Sequence, residues 1–140
     1  MFKMFKMFKI TLVLLTGLLV SSITSAGHHE ESHTMAPVAS ADQVVVVYEV
    51  PCKNVQAGLT TLKDLIAYEV GASPIAYSSS PGLIGDAAIG AVDLFSSASS
   101  MEKAVAWQDS DTQWQLLQAK SLQACGVNVD EIKATFIFAS

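Results

Sequence analysis

The chain has 140 residues, of which 51% are hydrophobic, so it can build one ordinary domain with a sizeable core. All eight basic residues are lysine, and because arginine is the usual bidentate partner of phosphate, the composition disfavours nucleotide and nucleic-acid binding. The net charge of −5 becomes −8 if the first 26 residues, which hold three lysines and no acid, are removed. So acidic a chain repels polyphosphates and anionic membranes.

Residues 1–26 have the pattern of a secretory signal peptide. Lys3, Lys6 and Lys9 precede an apolar run over residues 10–20, and small residues follow up to Ala26. A membrane anchor is the alternative, but the apolar run is much shorter than the roughly 20 residues that span a bilayer. The sequence therefore predicts a cleaved leader and a periplasmic or secreted protein, with no membrane contact after cleavage.

Residues 27–42 are polar and aperiodic, which predicts a flexible tether. This segment holds every histidine of the chain: His28, His29 and His33. If the leader ends at Ala26, the free amine of Gly27, two backbone nitrogens and the His29 imidazole form a square-planar set of the kind that Cu(II) or Ni(II) prefers. A residue ahead of Gly27 would abolish this Gly27-His28-His29 site; the alternative is a solvated tail that binds no metal.

Residues 43–140 are predicted to form the domain, beginning with a strand over residues 43–50. Its four consecutive valines are typical of a strand buried on both faces. Asn54 is a candidate cap for a helix over residues 55–70, in which Val70 is the last residue of the apolar stripe. Gly58 lies inside that helix at a cost of about 1 kcal/mol relative to alanine, explained either by close packing or by tolerance.

The second half of the domain reads as two strands, a broken helix and a last strand. The strands are predicted over residues 74–80 and 87–95, separated by a turn or loop that opens at Pro81-Gly82. Ser99 and Glu102 form a capping box for a helix that is interrupted at residues 108–111 and ends at Gly126. Residues 130–139 then alternate in polarity, and the strongly apolar face consists of Ile132, Ala134, Phe136 and Phe138.

This element order is the split βαβ arrangement of an α+β, ferredoxin-like fold, with an antiparallel sheet and two helices on one face. The opening valine-rich strand, the broken tryptophan-containing second helix and the C-terminal strand over residues 43–140 resemble the dimeric α+β barrel superfamily, which includes antibiotic-biosynthesis monooxygenase-like domains. The resemblance implies a homodimer in which two sheets pair into a barrel. It also implies a pocket between each sheet and its helices.

The absence of several known motifs argues against several classes of catalytic site. The chain has no G-x-S-x-G, no glycine-rich phosphate loop and no C-x-x-C. It has no histidine after residue 43, so a histidine triad, a catalytic zinc site or a haem ligand in the domain is disfavoured. Members of the superfamily that degrade haem bind it through an axial histidine on the second helix. This chain has no histidine there and so departs from their pattern. We expect no cofactor in the domain.

Cys52 and Cys125 are the only cysteines, and an exported chain meets an oxidising compartment. In the predicted topology the last strand lies antiparallel beside the first. Cys52 follows the first strand and Cys125 precedes the last, so the two thiols fall at the same end of the sheet. The sequence predicts a disulfide; the alternative is two buried free thiols.

Two tryptophans, Trp107 and Trp114, lie seven residues apart in the broken helix. One interpretation is ordinary core packing against the sheet. The other is a pocket for a flat apolar ligand, lined by Tyr48, Tyr77, Trp107 and Trp114.

The resemblance extends to cofactor-free oxygenases, in which asparagine and tryptophan near the pocket assist a substrate that itself activates oxygen. It implies Asn54, Trp107 and Trp114 as catalytic candidates. Asp93 and Asp109 are acid/base candidates, although we expect both to face solvent or cap a turn.

Two functions are therefore open. The first is an exported, small-molecule-binding dimeric barrel with cofactor-free monooxygenase-like activity. The second is a non-catalytic dimeric module that binds Cu(II) or Ni(II) at its N-terminus.

Overall fold

A computed structural model describes residues 36–140. The predicted leader and the Gly27-His28-His29 metal site lie outside these described residues. The elements are listed in chain order: β1 Val44–Pro51, α1 Val55–Ala72, β2 Tyr77–Ile84, β3 Ala88–Phe95, α2 Ala98–Ser110, α3 Thr112–Cys125, a 3₁₀ turn at Val129–Glu131, and β4 Lys133–Phe138. Within residues 36–140, no helix is long and apolar enough to cross a membrane.

The four strands form one antiparallel sheet in the order β2-β3-β1-β4. This order, with the helices packed on one face, is the ferredoxin-like α+β fold, which confirms the prediction. The central strand is β1, in which Val46 pairs with Asp93 of β3 on one side and Phe136 of β4 on the other. The valine run therefore occupies the position that its composition predicts.

The helix-facing side of the sheet carries the core in two clusters. One cluster packs Val44, Val46 and Phe95 against Ala104 of α2. The other surrounds Ile89 and the two cysteines. The helices thus bury alternate residues of β1 and β3, as the two-residue period of a strand requires.

The opposite face of the sheet has no covering element among residues 36–140. Val45 and Val47 of β1 are half-buried there, and Val92 of β3 and Ile137 of β4 are 45% and 53% exposed. The prediction that β1 is buried on both faces therefore holds in this chain only for the helix-facing side.

The strand β2 begins and ends later than predicted. It continues through Pro81 and Gly82 to Ile84, and the turn lies at residues 85–87, where Gly85 has a φ of 59°. Because β2 is an edge strand, Pro81 can sit in it without removing a hydrogen bond that the sheet needs. The predicted turn at Pro81-Gly82 is therefore wrong.

The broken second helix is confirmed, but its cap is not Ser99. Ser97 accepts the backbone N–H of Ser100 at 3.1 Å, because its extended backbone continues from the end of β3. The break lies at Asp111, whose N–H donates to the Trp107 carbonyl and whose Oδ1 accepts the N–H of Trp114 at 2.8 Å. One residue thus ends α2 and caps α3.

The disulfide joins Cys52, after β1, to Cys125 at the end of α3, and the two Cα atoms lie 4.2 Å apart. Gly58 of α1 packs directly on it. A Cβ at this position would meet both sulfur atoms at 2.5 Å, so the absence of a side chain allows α1 to pass over the bridge. Close packing, and not tolerance, explains this glycine.

We expect Gly58→Ala to lower the free energy of unfolding by about 1–3 kcal/mol, because overpacking outweighs the gain in helix propensity. Gly71→Ala is the matched control: it lies in the same helix with nothing within 4 Å of a Cβ, so it should be neutral or stabilising by up to about 1 kcal/mol. Urea titration of both variants measures the difference. Equal effects of the two substitutions would contradict the packing explanation.

Candidate functional site: a buried acidic cluster beside a cleft

Four ionisable side chains meet between the sheet and the helices, each supplied by a different element. They are Tyr48 of β1, Glu69 of α1, Tyr77 of β2 and Asp93 of β3, and we call them the acidic cluster. Glu69 and Asp93 are only 7% and 4% exposed. Two carboxyl groups in one layer of a small core require a specific explanation, because buried charge is costly.

Glu69 is held by hydrogen bonds from the broken helix. The indole Nε1 of Trp114 donates to Glu69 Oε1 at 2.5 Å, and Gln108 Nε2 donates to the same oxygen at 3.4 Å. Gln108 Nε2 also lies 3.4 Å from the hydroxyl of Tyr77. The break at Asp111 therefore lets side chains from both α2 and α3 reach one carboxyl group.

Asp93 is less completely satisfied. Its cross-strand neighbour on β2 is Ser79, and its Oδ1 has no hydrogen-bond partner among the described residues. Burial raises the pKa of Asp93 to about 7, against the opposing hydrogen bond from Ser79, and the charge of Glu69 adds to the increase. Asp93 therefore changes protonation near neutral pH.

The other members of the cluster show the same effect of burial. Desolvation raises the pKa of Glu69, and the hydrogen bonds from Trp114, Tyr77 and Gln108 oppose the increase. Burial also raises the pKa of Tyr48 and Tyr77, and the nearby carboxyl charges add to it. Both phenols stay protonated at neutral pH and can donate hydrogen bonds.

A half-open cleft of about 370 Å³ adjoins the cluster at the end of α1. Its lining, which defines what we call the β2 cleft, consists of Glu69, Val70, Ser73, Pro74, Ile75, Ala76, Tyr77 and Ser79. Glu69 and Tyr77 belong to both the cluster and the cleft, and Ser79 connects the cleft to Asp93. The cleft therefore reaches Glu69 directly, whereas Asp93 lies behind the lining residue Ser79.

The structure brings together only part of the predicted aromatic pocket. Tyr77 lines the β2 cleft, Tyr48 belongs to the acidic cluster without lining the cleft, and Trp114 donates to Glu69 of the cluster. Trp107 stands apart: its ring stacks on Tyr68 with centroids 6.4 Å apart. The tryptophans do not form one aromatic wall, because Trp114 points its indole N–H at a carboxyl group.

The other candidates occupy different places. Asn54 caps α1 by accepting the N–H of Ala57 at 3.1 Å, at the opposite end of the helix from Glu69, about 22 Å along the axis. Asp109 is exposed, as expected. Asp93 is buried, so the expectation that it faces solvent is wrong. Its position on the helix-facing side follows from the alternation of β3 with Ile89 and Phe95.

Sequence reasoning missed Glu69 and Gln108. Val70 was predicted to close the apolar stripe of α1, but it is 83% exposed, and Glu69 takes the buried position beside Leu65 and Ile66. Glu69 lies eleven residues after buried Gly58, about three full turns, and so points to the centre of the buried face, whereas Val70 is turned about 100° further round the helix. The sequence signal for Glu69 is that this glutamate has the helical spacing of the apolar stripe. No comparable sequence signal marks Gln108.

No group of three or more histidine, cysteine, aspartate or glutamate side chains within residues 36–140 is arranged to hold a metal ion. The two carboxyl groups of the acidic cluster can accept hydrogen bonds, attract cations and transfer protons.

No family model and no curated protein sequence matches the chain. Three solved structures are similar to it at low identity. One is a protein from Caulobacter crescentus that is provisionally described as an antibiotic biosynthesis monooxygenase. It is 12% identical in sequence to this chain, with a TM-score of 0.49 over 71% of this chain and 92% of that one. A conserved protein from Methanosarcina mazei is 13% identical, with a TM-score of 0.49 over 70% and 93%.

The third is a mutant of SnoaB, a cofactor-independent oxygenase from Streptomyces nogalater. It is 11% identical, with a TM-score of 0.47 over 71% of this chain and 94% of that one. The ferredoxin-like fold of the present chain stands on its own strand order and helix placement.

We expect stability to fall as pH rises from about 4 to about 7. Because the pKa of Asp93 is raised from 3.8 to about 7 in the folded state, the folded protein binds a proton that the unfolded chain has released. The stability from this group is complete below pH 4 and is lost through pH 7, by up to about 4 kcal/mol. In Asp93→Asn this loss should shrink, leaving a residual slope from Glu69.

Urea unfolding at several pH values measures this dependence. Asp86→Asn, an exposed acid on the β2–β3 turn, is the control that removes the same charge and should leave the slope as in the wild type. An unchanged slope in Asp93→Asn would show that Asp93 is not the group responsible.

Proposed function

We propose that this domain binds a small, mainly apolar molecule in the β2 cleft and that Glu69 recognises its polar group. The observation that carries the proposal is the position of Glu69, a buried and hydrogen-bonded carboxyl group that also forms part of the cleft wall. A carboxyl group with a raised pKa beside a cleft is typical of binding and catalytic sites.

The dimensions and lining of the cleft support a small ligand. Its volume of about 370 Å³ lies at the lower end of the range for ligand sites, roughly 300–1,000 Å³. Val70, Pro74, Ile75 and Ala76 provide apolar surface, and Tyr77 provides an aromatic edge and a hydroxyl. This combination favours a molecule of one or two rings with one polar group.

The chemistry that we propose for this site is proton abstraction leading to cofactor-free oxygenation. Glu69 would take a proton from an activated CH₂ group of the ligand, and the resulting carbanion would reduce O₂. In the complete reaction the CH₂ group becomes a carbonyl group, one oxygen atom enters the product and the other leaves as water. A general base works best when its pKa approaches the working pH, and burial shifts that of Glu69 in this direction.

We also propose that the protein is exported and acts as a homodimer. The uncovered sheet face supports the second point, because Val92 and Ile137 are exposed beside half-buried Val45 and Val47. A contiguous apolar face of this kind is rarely left in water. A second copy would cover it without contacting the β2 cleft, which lies on the helix side.

We expect flat aromatic and quinone-like compounds to change tryptophan fluorescence in a saturable way, because Trp114 donates to Glu69. Trp107→Phe should retain the signal, since Trp107 stacks on Tyr68 away from the cleft. Ala76→Phe fills the cleft and should weaken binding by at least about tenfold, or 1.4 kcal/mol.

Ala106→Phe adds the same ring at an exposed position of α2 and should bind as the wild type does. The binding proposal fails if a broad panel gives no saturable change, or if Ala76→Phe and Ala106→Phe behave alike. Oxygen uptake by bound indane-1,3-dione, a two-ring compound with an activated CH₂ group, tests the oxygenase step separately, with no added cofactor and with a protein-free blank subtracted.

The dimer proposal predicts that light scattering gives twice the mass of the mature chain. Val92→Asp places a charge on the uncovered sheet face and should convert the protein to monomer. Leu116→Asp changes an exposed apolar residue on α3, on the helix side of the sheet, and should leave the dimer intact. A wild-type monomer at micromolar concentration would refute the proposal.

A further inference from the structure

The β2 cleft is acidic at its inner end. Glu69 is part of the wall, and no basic residue of the described chain lines the cleft. Asp93 pairs with Ser79 across the β2–β3 strand pair, and Ser79 is itself a lining residue. A ligand group at this end would therefore meet one carboxyl group directly and the field of a second.

Neither acid has a cationic side chain of residues 36–140 as a partner. Among residues 36–140 the one ion pair joins Lys133 to Glu49 at 3.3 Å, and it lies on β1 and β4, on the sheet face away from the helices. Asp93 has a buried Oδ1 with no partner among the described residues. Burial therefore disfavours the charged form of this carboxyl group, and a cationic ligand group nearby would stabilise it.

We propose that the ligand of the β2 cleft is an ammonium compound: a protonated amine attached to a small apolar body. This inference rests on the proposed binding function and narrows it to one class of ligand. The ammonium group would donate to Glu69 and lie in the field of Asp93. The apolar body would pack against Val70, Pro74 and Ile75 at the outer part of the cleft.

Other ligand charges fit this site less well. A carboxylate or phosphate group would face two acids with no arginine in the chain and no lysine in the lining. A neutral alcohol satisfies one acceptor but leaves the charge of both acids uncompensated. The ammonium ion alone supplies both the hydrogen-bond donors and the charge.

Binding should be coupled to proton release. The titratable groups around the proposed ammonium position come from three strands and α1, and they are Tyr48, Glu69, Tyr77 and Asp93. The broken helix adds two neutral hydrogen-bond donors, Gln108 and Trp114. The phenols stay protonated, so the carboxyl groups are the ones that titrate. Because the pKa of Asp93 is raised to about 7, an ammonium ligand displaces a proton below that pH, and its affinity rises between about pH 5.5 and 8.

Three ligands of matched shape test the inference: benzylamine, benzyl alcohol and benzoate, titrated calorimetrically into the full mature protein at about pH 8. We expect benzylamine to bind at least about tenfold more tightly than benzyl alcohol, and benzoate not to bind. At about pH 6, the heat of benzylamine binding should vary with the ionisation enthalpy of the buffer, which reports the released proton.

Two variants locate the effect, and a third controls for net charge. Glu69→Gln should abolish the preference for the amine while leaving benzyl alcohol affinity within about threefold. Asp93→Asn should reduce proton release near pH 6 and is informative even if Glu69→Gln does not fold. Asp64→Asn removes an exposed acid from the same helix and should keep the wild-type preference.

The outcomes separate this inference from the proposal beneath it. Benzyl alcohol or benzoate binding as tightly as benzylamine overturns the ammonium inference but leaves binding in the β2 cleft intact. If Glu69→Gln and Asp64→Asn lose the preference for the amine equally, the ammonium inference is also overturned, because the preference would then depend on net charge alone. Failure of all three ligands, together with failure of the aromatic panel, removes the binding function as well.

Discussion

The disulfide between Cys52 and Cys125 is the constraint around which the layers are arranged. It ties the end of the central strand to the end of α3 across 73 residues, a span that stabilises the fold by about 4 kcal/mol in the chain-entropy model. Gly58 allows α1 to lie directly on the bridge. At one end of the layer between sheet and helices, the disulfide packs against aliphatic side chains. The acidic cluster lies at the other end.

That division explains how a small core tolerates two buried acids. Glu69 and Asp93 lie far from the bridge along α1 and β3; Glu69 lines the β2 cleft, and Asp93 lies behind its lining residue Ser79. Apolar residues of similar volume would make this end more stable at neutral pH, because burial favours the protonated carboxyl. The presence of two acids at a position where they lower stability is the physical argument for the binding role proposed above.

The broken second helix connects fold to site. A continuous helix could not direct Gln108 and Trp114 at the same carboxyl oxygen, because residues six apart lie on different sides of a helix. Asp111 ends one segment, caps the next and accepts the hydroxyl of Tyr68, so the break is itself stabilised. The tryptophan that resembled part of an aromatic pocket serves instead as a hydrogen-bond donor to Glu69.

Local sequence patterns determined the element order, the central valine strand, the cap at Asn54 and the interruption of the second helix, because each depends on neighbouring residues alone. The cysteine pairing also followed, since the strand order places both residues at one end of the sheet. The acidic cluster did not follow from sequence. Glu69 and Asp93 are 24 residues apart and meet Gln108 and Trp114 only when four elements pack, and one residue of phase in α1 separates buried Glu69 from exposed Val70. Tertiary structure alone decided which polar side chains lost water, and the pKa shifts, the cleft and the proposed binding all follow from that burial.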